Sequence, residues 1–441
     1  MRKILSFAIV AAVVAYFAAC SVEMDYNPNH EKPILKNPYV VSIPQAIDRL
    51  NAMFPNSVTA TRARVSEVTT LSRKDFGLIT RANTTEDAPL IYIIPTDNEG
   101  CAIMGADSRM TPLYAVLEST TLTVEDFLSM NTRTDSGDSQ EEDSEIREFV
   151  AGLLYDAATD DYLELPSIPW DSTRPEPDIE LLPVIKYIDS LTESHQVYLA
   201  TKWNQSSEQF VRKLPASFKV AGCVTIAIAQ IAYHNRMPQA IGMTTFDWDK
   251  ISAYEYKNRD KLLEIGKDEN IDATALFIAS IANAVNAEPN GDQTSSNFVD
   301  AYNFFVANYS GYNVVPMMYT EEIMKSMIIK NNPIFIRGEN NTSKIGHAWV
   351  IDGYRKYEEF EHNLNSGEIY KVDSLHKNEY FHCNFGWSGK CDGYYYSKVF
   401  NVSDPVPYEY RIDSIGDIGF LENIVFNDNF RIIYYDKVTS L

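Results

Sequence analysis

Residues 219–234 read KVAGCVTIAIAQIAYH, and this stretch decides the fold. A helix that starts near Val224 would be apolar on nearly every side, which is the pattern of a helix buried in a protein core. Gly222 permits a sharp turn before that helix, so Cys223 would lie in its first turn. Unpaired backbone N–H groups and the positive end of the helix dipole favour a thiolate there. Cys223 is therefore either a catalytic nucleophile or a buried structural cysteine, and the stretch alone leaves both open.

A catalytic cysteine needs a base, and the nearest histidine in the sequence is excluded by geometry. His234 follows Cys223 by eleven residues on the same helix. At a rise of 1.5 Å per residue it lies about 16 Å further along the axis. It cannot take the thiol proton. The base must come from another part of the chain.

Two later stretches supply a candidate base and a candidate partner for it. His347 follows Gly346 at the start of the apolar strand 346–354, where a lone histidine is more often a packed core residue than a base. The strand 380–385 reads YFHCNF, and alternation places His382 and Asn384 on one face. An asparagine beside a histidine can accept its N–H and hold the imidazole in one orientation.

Length and charge limit the class of protein. The 441 residues allow two or three domains with a substantial core. The net charge is −23 and no basic cluster stands out, so nucleic acid is not an expected partner. Lysine and arginine are scattered, which also argues against a peripheral membrane helix.

The N-terminus has the pattern of an export signal. Arg2 and Lys3 precede an apolar run, 4–19, that is short for a transmembrane helix. Cys20 after small residues resembles a bacterial lipobox, although Phe17 stands where Leu is usual. We expect residues 1–20 to be a lipoprotein-type signal peptide. The protein would then be exported and anchored in the cell envelope through a lipid on Cys20, or secreted. Membrane contact is expected only through this anchor.

The chain contains five cysteines, too few and too unevenly spaced for a disulfide framework. Cys383 and Cys391 could pair with each other. A metal site drawn from His376, His382, Cys383 and Cys391 is an alternative, but no C-x-x-C spacing supports it. We expect neither a metal nor a cofactor.

The remaining pattern predicts two α+β parts. Residues 21–130 contain a predicted helix and several short strands, which favour a small α+β domain. Residues 131–180 are acidic and then rich in proline, so we expect a linker and processing region there. Residues 181–441 have predicted helices first and antiparallel strands afterwards. The larger part is therefore also predicted to be α+β.

Three stretches together resemble the streptopain-like cysteine peptidases, family C10. They are AGCVTIAIAQIAYHNRMP (221–238), GHAWVIDGY (346–354) and YFHCNFGWSGKCDGYY (380–395). Residues 40–120, especially GCAIMGADSRMTPLYAVLE (100–118), resemble the Spi-type inhibitory propeptide of that family. The resemblance implies a papain-like fold, with residues 181–441 as the peptidase domain. It also implies a secreted bacterial endopeptidase made as a zymogen, with peptide substrates and its own propeptide as inhibitor.

The resemblance also assigns roles to residues. Cys223 corresponds to the nucleophile, His347 to the general base and then acid, and Asn384 to the residue that orients the imidazole. Gly346 resembles a position that lines the substrate cleft. Backbone N–H groups at the start of the cysteine helix would stabilise the oxyanion. Gln205 is a candidate side-chain donor for the same purpose, or else an ordinary loop glutamine.

Two positions depart from the family pattern. Ser388 stands where the family usually has Gly, and Phe385 stands where a Trp is common. In the family, both positions belong to the surface that shields the His–Asn pair.

A transglutaminase-type acyl transferase is the first alternative function. It would share Cys and His but normally uses Asp as the third residue. An exported lipoprotein with a catalytically weak protease fold is the second alternative.

Overall fold

The structure is a computed structural model. It describes residues 39–54, 67–78, 88–96, 99–132, 144–163, 185–197, 199–252, 269–339, 346–363, 369–371, 378–400 and 430–438. The described helices are α1 (Ile43–Met53), α2 (Val124–Thr132), α3 (Ser144–Leu163), α4 (Glu208–Val211), α5 (Cys223–Asn235), α6 (Glu269–Ala284), α7 (Phe298–Asn308), α8 (Glu321–Ile329) and a 3₁₀ helix (Ser397–Phe400). The described strands are β1 (Thr69–Ser72), β2 (Pro89–Pro95), β3 (Cys101–Gly105), β4 (Leu113–Leu117), β5 (Ile185–Gln196), β6 (Ala240–Ile241), β7 (Thr244–Thr245), β8 (Glu288–Asn290), β9 (Gln293–Ser295), β10 (Tyr312–Met318), β11 (Ile334–Glu339), β12 (Gly346–Asn363), β13 (Ile369–Lys371), β14 (Glu379–Asn384), β15 (Gly393–Tyr396) and β16 (Arg431–Lys437).

One antiparallel sheet runs through both the N-terminal and the C-terminal part of the described chain. Its order is β1-β2-β3-β4-β15-β14-β12-β11-β16-β10, and β5 and β13 also pair with β12. Strands β4 and β15 join the two parts, with Val116 opposite Tyr394. A Cβ at Gly393 would lie 2.0 Å from the carbonyl oxygen of Val116, so this close pairing requires glycine there. The N-terminal strands are therefore an extension of the sheet that the C-terminal part forms.

Helix α5 is buried because its sequence is apolar all round. It packs against β12 and α6, and the residues from Val224 to Ala232 are buried. Its N-cap, Gly222, has a φ of 88°, a left-handed conformation that other residues rarely adopt. A Cβ at Gly222 would also lie 3.1 Å from the Thr294 side chain. Glycine at 222 thus fixes where the helix begins, and with it the position of Cys223.

The two faces of the sheet carry separate hydrophobic cores. Phe335, Ala348 and Val350 pack with α5, α6 and α7 on one face. Trp349 and Ile351 pack on the other face, in the core that also contains the N-terminal strands and α3. Successive side chains of β12 therefore alternate between the two hydrophobic cores, one on each face of the sheet.

Within the predicted linker, residues 131–180, the structure differs from the expectation. Helix α3 occupies residues 144–163, and its buried residues include Ile146, Phe149, Val150, Leu153 and Leu154. These apolar residues can leave water because they pack on the shared sheet, which the local acidic composition did not indicate. The acidic run 133–143 and the proline-rich segment 164–184 lie outside the described residues. The proposed domain boundaries stay predictions.

The predicted α+β fold is confirmed. Ser42 caps α1 in a capping box with Gln45, and Pro44 lies in its first turn as expected. The predicted strands around residues 90–94, 334–337 and 379–385 are present as β2, β11 and β14. A cysteine helix lies against an antiparallel sheet that carries the histidine, which is the papain-like arrangement that the sequence resemblance implied. Among the described residues, no helix is long and apolar enough to cross a membrane, and residues 1–38 lie outside them.

Candidate active site

Cys223 lies where α5 meets the sheet. It is the first residue of the helix, and its side chain is partly exposed. The backbone N–H groups of Ala348 and Val224 face its thiol and act to lower its pKa. Ala348 is the third residue of β12, directly after His347. The helix N-terminus therefore places the thiol against the backbone at the start of the histidine strand.

The surroundings of Cys223 favour the thiol over the thiolate. Desolvation in the fold raises the pKa of Cys223 above its ordinary value, and the negative charge of Glu145 acts in the same direction. The Ala348 and Val224 N–H groups and the positive charge of Arg337 lower the pKa, but they do not compensate. The helix N-terminus was expected to favour a thiolate, and in this structure its effect is outweighed.

His347 lies next to Cys223 in the fold, but its side chain occupies the other face of the sheet. It is 5% exposed and packs against Phe149 of α3, with ring centroids 5.4 Å apart. Its Nε2–H donates to the carbonyl of Phe385 at 2.9 Å. Burial lowers the pKa of the imidazole, while this hydrogen bond and the charge of Glu145 raise it. A neutral imidazole could act as a general base if it turned towards the thiol.

Residues 200–395 match the family model described as "Peptidase C10 family". This part of the chain belongs to that family. The family is one of cysteine-type peptidases, so the C10 part of the chain is a cysteine peptidase domain. The matched residues contain Cys223, His347 and Asn384 and exclude α3 and the N-terminal strands.

Two solved structures are similar to the chain at low identity. The prointerpain A fragment 39–359 of Prevotella intermedia, a cysteine-to-alanine variant, is 17% identical with a TM-score of 0.45; the match covers 74% of this chain and 91% of that chain. Active wild-type interpain A of Prevotella intermedia is 19% identical with a TM-score of 0.34; the match covers 46% of this chain and 85% of that chain. A search of curated proteins finds no match.

Asn384 of the C10 domain does not contact His347 in this structure. Its side-chain nitrogen donates to the carbonyl of Thr201 at 2.9 Å, and its oxygen accepts from Nε2 of Gln230 at 3.0 Å. The Gly386 N–H donates to the same oxygen at 3.2 Å. The neighbouring residue, Phe385, supplies the carbonyl that holds the imidazole. The strand end expected to orient His347 is thus in place, but its main chain and not the asparagine side chain makes the bond.

Gln205 and Gly346 lie beside the two candidate catalytic residues. The Gln205 carbonyl accepts from the N–H of Ala221, two residues before Cys223, at 2.8 Å. Gly346 begins β12, and among the described residues a Cβ there would meet only the Gly338 carbonyl, at 3.8 Å. Gln205 is therefore near the start of α5, and no described side chain covers Gly346 on its side-chain side. Both placements are compatible with the roles predicted for them.

Helix α3 contributes two residues that the sequence did not assign to the site. Phe149 packs on His347, Trp349 and Phe385. Glu145 acts electrostatically on both Cys223 and His347, and its carboxylate accepts from Gln293 at 3.2 Å. The short apolar run within an acidic segment was the only indication that this region is buried.

His382 belongs to a charged cluster with buried Asp352 and the more exposed Glu118. Its Nδ1 lies 2.5 Å from Asp352, and its Nε2 lies 3.4 Å from Glu118, just after β4. Burial alone would lower the pKa of His382, but Asp352 and Glu118 outweigh it, and the pKa lies well above the ordinary value. His382 is therefore a charged partner of the N-terminal part, separate from the Cys223 site.

The other predicted sites are accounted for as follows. Cys383 and Cys391 are buried and both are free. No three His, Cys, Asp or Glu side chains of the described residues are placed to hold a metal ion. Cys20 and His376 lie outside the described residues.

Proposed function

We propose that the protein is an exported cysteine endopeptidase made as a zymogen, which acts through Cys223, His347 and Asn384. The observation that carries the proposal is the packing of α5 on β12, which brings Cys223, the first residue of the helix, to the backbone of Ala348, one residue from His347. The family match at residues 200–395 supports the same reaction.

In the proposed reaction Cys223 is the nucleophile. His347 takes the thiol proton, and the thiolate attacks the carbonyl carbon of a peptide bond. The oxyanion would be stabilised by the Cys223 N–H at the free end of α5 and by the Gln205 side chain. His347 then gives its proton to the leaving amine as the C–N bond breaks. Water, activated by the same histidine, hydrolyses the thioester and regenerates the thiol.

Latency would come from α3. Phe149 holds the imidazole on the face opposite to Cys223, while Glu145 raises the pKa of the thiol. Removal of α3 would uncover His347, allow it to turn towards Cys223, and lower the pKa of the thiol. In the active enzyme we assign to Asn384 the bond that the Phe385 carbonyl makes here. The exchange replaces one oxygen acceptor by another at the end of the same strand.

The position of α3 supports a narrower proposal for the activating cut. A cut within residues 133–143 alone would leave α3 joined to the peptidase domain. A cut within residues 164–184 separates α3 and all N-terminal strands from β5 onwards. We therefore place the activating cleavage between Leu163 and Ile185. Export through the N-terminal segment and lipid anchoring at Cys20 complete the proposal.

The test compares precursor and processed enzyme on unfolded casein. Residues 21–441 are purified and followed by gel while hydrolysis is measured. The uncut chain should be nearly inactive, and activity should rise with a product that begins between residues 164 and 185. Cys223→Ala and His347→Ala should abolish turnover, and Lys250→Gln, which changes only an exposed ion pair with Glu269, should not. Full activity in the uncut chain would contradict latency, and turnover by Cys223→Ala would contradict the reaction.

A further inference from the structure

Arg337 is a cation on the sheet face that the Cys223 helix packs against. It lies in β11, two residues after Phe335, which belongs to the core on that face. Side chains two residues apart on a strand share a face, so Arg337 points the same way. It is partly exposed. The register places it directly opposite Ala348 of β12 and opposite Arg431 of β16.

This register brings Arg337 close to the nucleophile. Directly opposite residues of an antiparallel pair have Cβ atoms about 4.5–5.5 Å apart. The backbone N–H of Ala348, the partner of Arg337, faces the Cys223 thiol and acts on its pKa. The positive charge of Arg337 also acts on Cys223 and lowers the pKa of the thiol. The guanidinium therefore lies within one side-chain length of the atom that would attack the substrate.

Arg337 itself makes no ion pair with any residue that the structure describes. Its neighbour Arg431 adds a second positive charge and lies over the Phe298 ring, 5.7 Å from the centroid. Burial lowers the pKa of Arg431 to about 10, and the charge of Arg337 acts in the same direction. A carboxylate beside Arg337 would form the ion pair that the described residues do not supply.

One carboxylate that acts on the nucleophile in this structure would leave in the proposed activation. Glu145, which acts on Cys223 and His347, belongs to α3. Once α3 is removed, the positive charge of Arg337 on β11 remains beside Cys223 without it. A substrate that brings its own carboxylate would restore the balance.

We propose that Arg337 is a specificity-determining residue that binds an acidic side chain, Asp or Glu, of the substrate close to the scissile bond. The proposal rests on the proposed peptidase function and names its substrate class. A guanidinium suits this role because its planar N–H fork matches a carboxylate in a bidentate geometry. Arg431 would strengthen the field at the subsite. Substrates with Lys or Arg at the same position would be rejected by charge repulsion.

A different role for Arg337, general stabilisation of the thiolate, predicts a different result. Loss of a thiolate-stabilising charge would slow the hydrolysis of every peptide by a similar factor. Loss of a specificity residue changes the ratio between acidic and neutral peptides. The ratio of kcat/KM values for matched peptides therefore separates the two roles.

The experiment uses full-length precursor processed to the active form and a series of quenched fluorescent peptides. The peptides are identical except for Glu, Gln or Lys at one of the three residues on either side of the scissile bond. At one position the wild-type enzyme should prefer Glu over Gln by roughly tenfold or more in kcat/KM, the value expected for one hydrogen bond to a charged group. Arg337→Gln should remove this preference while still cleaving the Gln peptide. Arg337→Glu should favour the Lys peptide, and the control Lys250→Gln should behave as wild type.

Two further measurements keep the test decisive. Arg337→Lys retains the positive charge but lacks the planar N–H fork of the guanidinium, so it should keep a reduced preference for Glu. Thermal melts show whether each variant is folded. High salt should weaken the preference of the wild-type enzyme. Equal cleavage of Glu and Gln peptides at every position, or an unchanged preference in Arg337→Gln, would overturn the proposal. Failure to cleave casein or any peptide would instead contradict the proposed function itself.

Discussion

Phe149→Ala should activate the uncut precursor, because Phe149 is the side chain of α3 that covers His347. It is 1% exposed and contacts the rings of His347, Trp349 and Phe385. Truncation of a buried Phe to Ala costs about 3–5 kcal/mol. If this energy is lost from the docking of α3, the undocked state becomes roughly a hundredfold or more populated, since each 1.4 kcal/mol is a factor of ten. His347 would then be free to reach Cys223.

The assay measures the uncut protein at early times. Iodoacetamide alkylation of Cys223 is followed by mass spectrometry, and peptide hydrolysis by initial rate, while gels confirm that the chain is intact. Both rates should rise in Phe149→Ala by one to two orders of magnitude or more.

Phe127→Ala is the matched control for this prediction. Phe127 is equally buried in the N-terminal part, but it packs on Phe76 and not on His347. It should lower the melting temperature by a comparable amount with a much smaller gain in Cys223 reactivity. If Phe149→Ala melts lower but its Cys223 stays as unreactive as in the wild-type precursor, α3 is not what restrains the site.

Three further predictions concern single residues. Because burial and Glu145 raise the pKa of Cys223, the rate of Cys223 alkylation in the precursor, plotted against pH, should have its midpoint above about pH 8.5. Processing should lower this midpoint. An unchanged midpoint would argue that α3 does not cause the raised pKa. Protonated His382 contributes stability that is fully present below about pH 6.5 and is lost as pH rises through its raised folded-state pKa. His382→Gln should therefore lower Tm more at about pH 6 than in alkaline solution, and a pH-independent Tm difference would contradict the charged pair with Asp352. Asn384→Ala removes a side chain with three hydrogen bonds, each worth about 1 kcal/mol. Thermal melts should therefore show a loss of stability, and kinetics of the processed enzyme should show a lower kcat. A change in melting alone would make Asn384 a structural residue.

The sequence predicted the elements whose pattern is local. The apolar run after Cys223 indicated a buried helix, and the structure has one at Cys223–Asn235. The apolar strand after Gly346 was also predicted, although β12 continues to Asn363. Both elements were predictable because a helix or strand that is buried on several sides has a continuous run of apolar residues.

Features that depend on distant contacts were not predictable in the same way. Helix α3 is buried because it packs on a sheet formed by residues far away in the chain, and its acidic surroundings suggested a linker. Strand β5 has a polar sequence and forms by pairing along β12. The partners of Asn384 lie on α5 and near Thr201, so strand alternation alone could not indicate which group its side chain would bond.

The central claim is that Cys223 is the nucleophile of a latent peptidase, and stoichiometric labelling tests it most directly. The processed enzyme is inactivated with a peptidyl chloromethyl ketone, and the modified residue is mapped while activity is followed. We predict one label per molecule, on Cys223, with activity lost in proportion and with little labelling of the uncut precursor. Proportional inactivation with the label on another residue, or equal labelling of precursor and processed enzyme, would contradict the account.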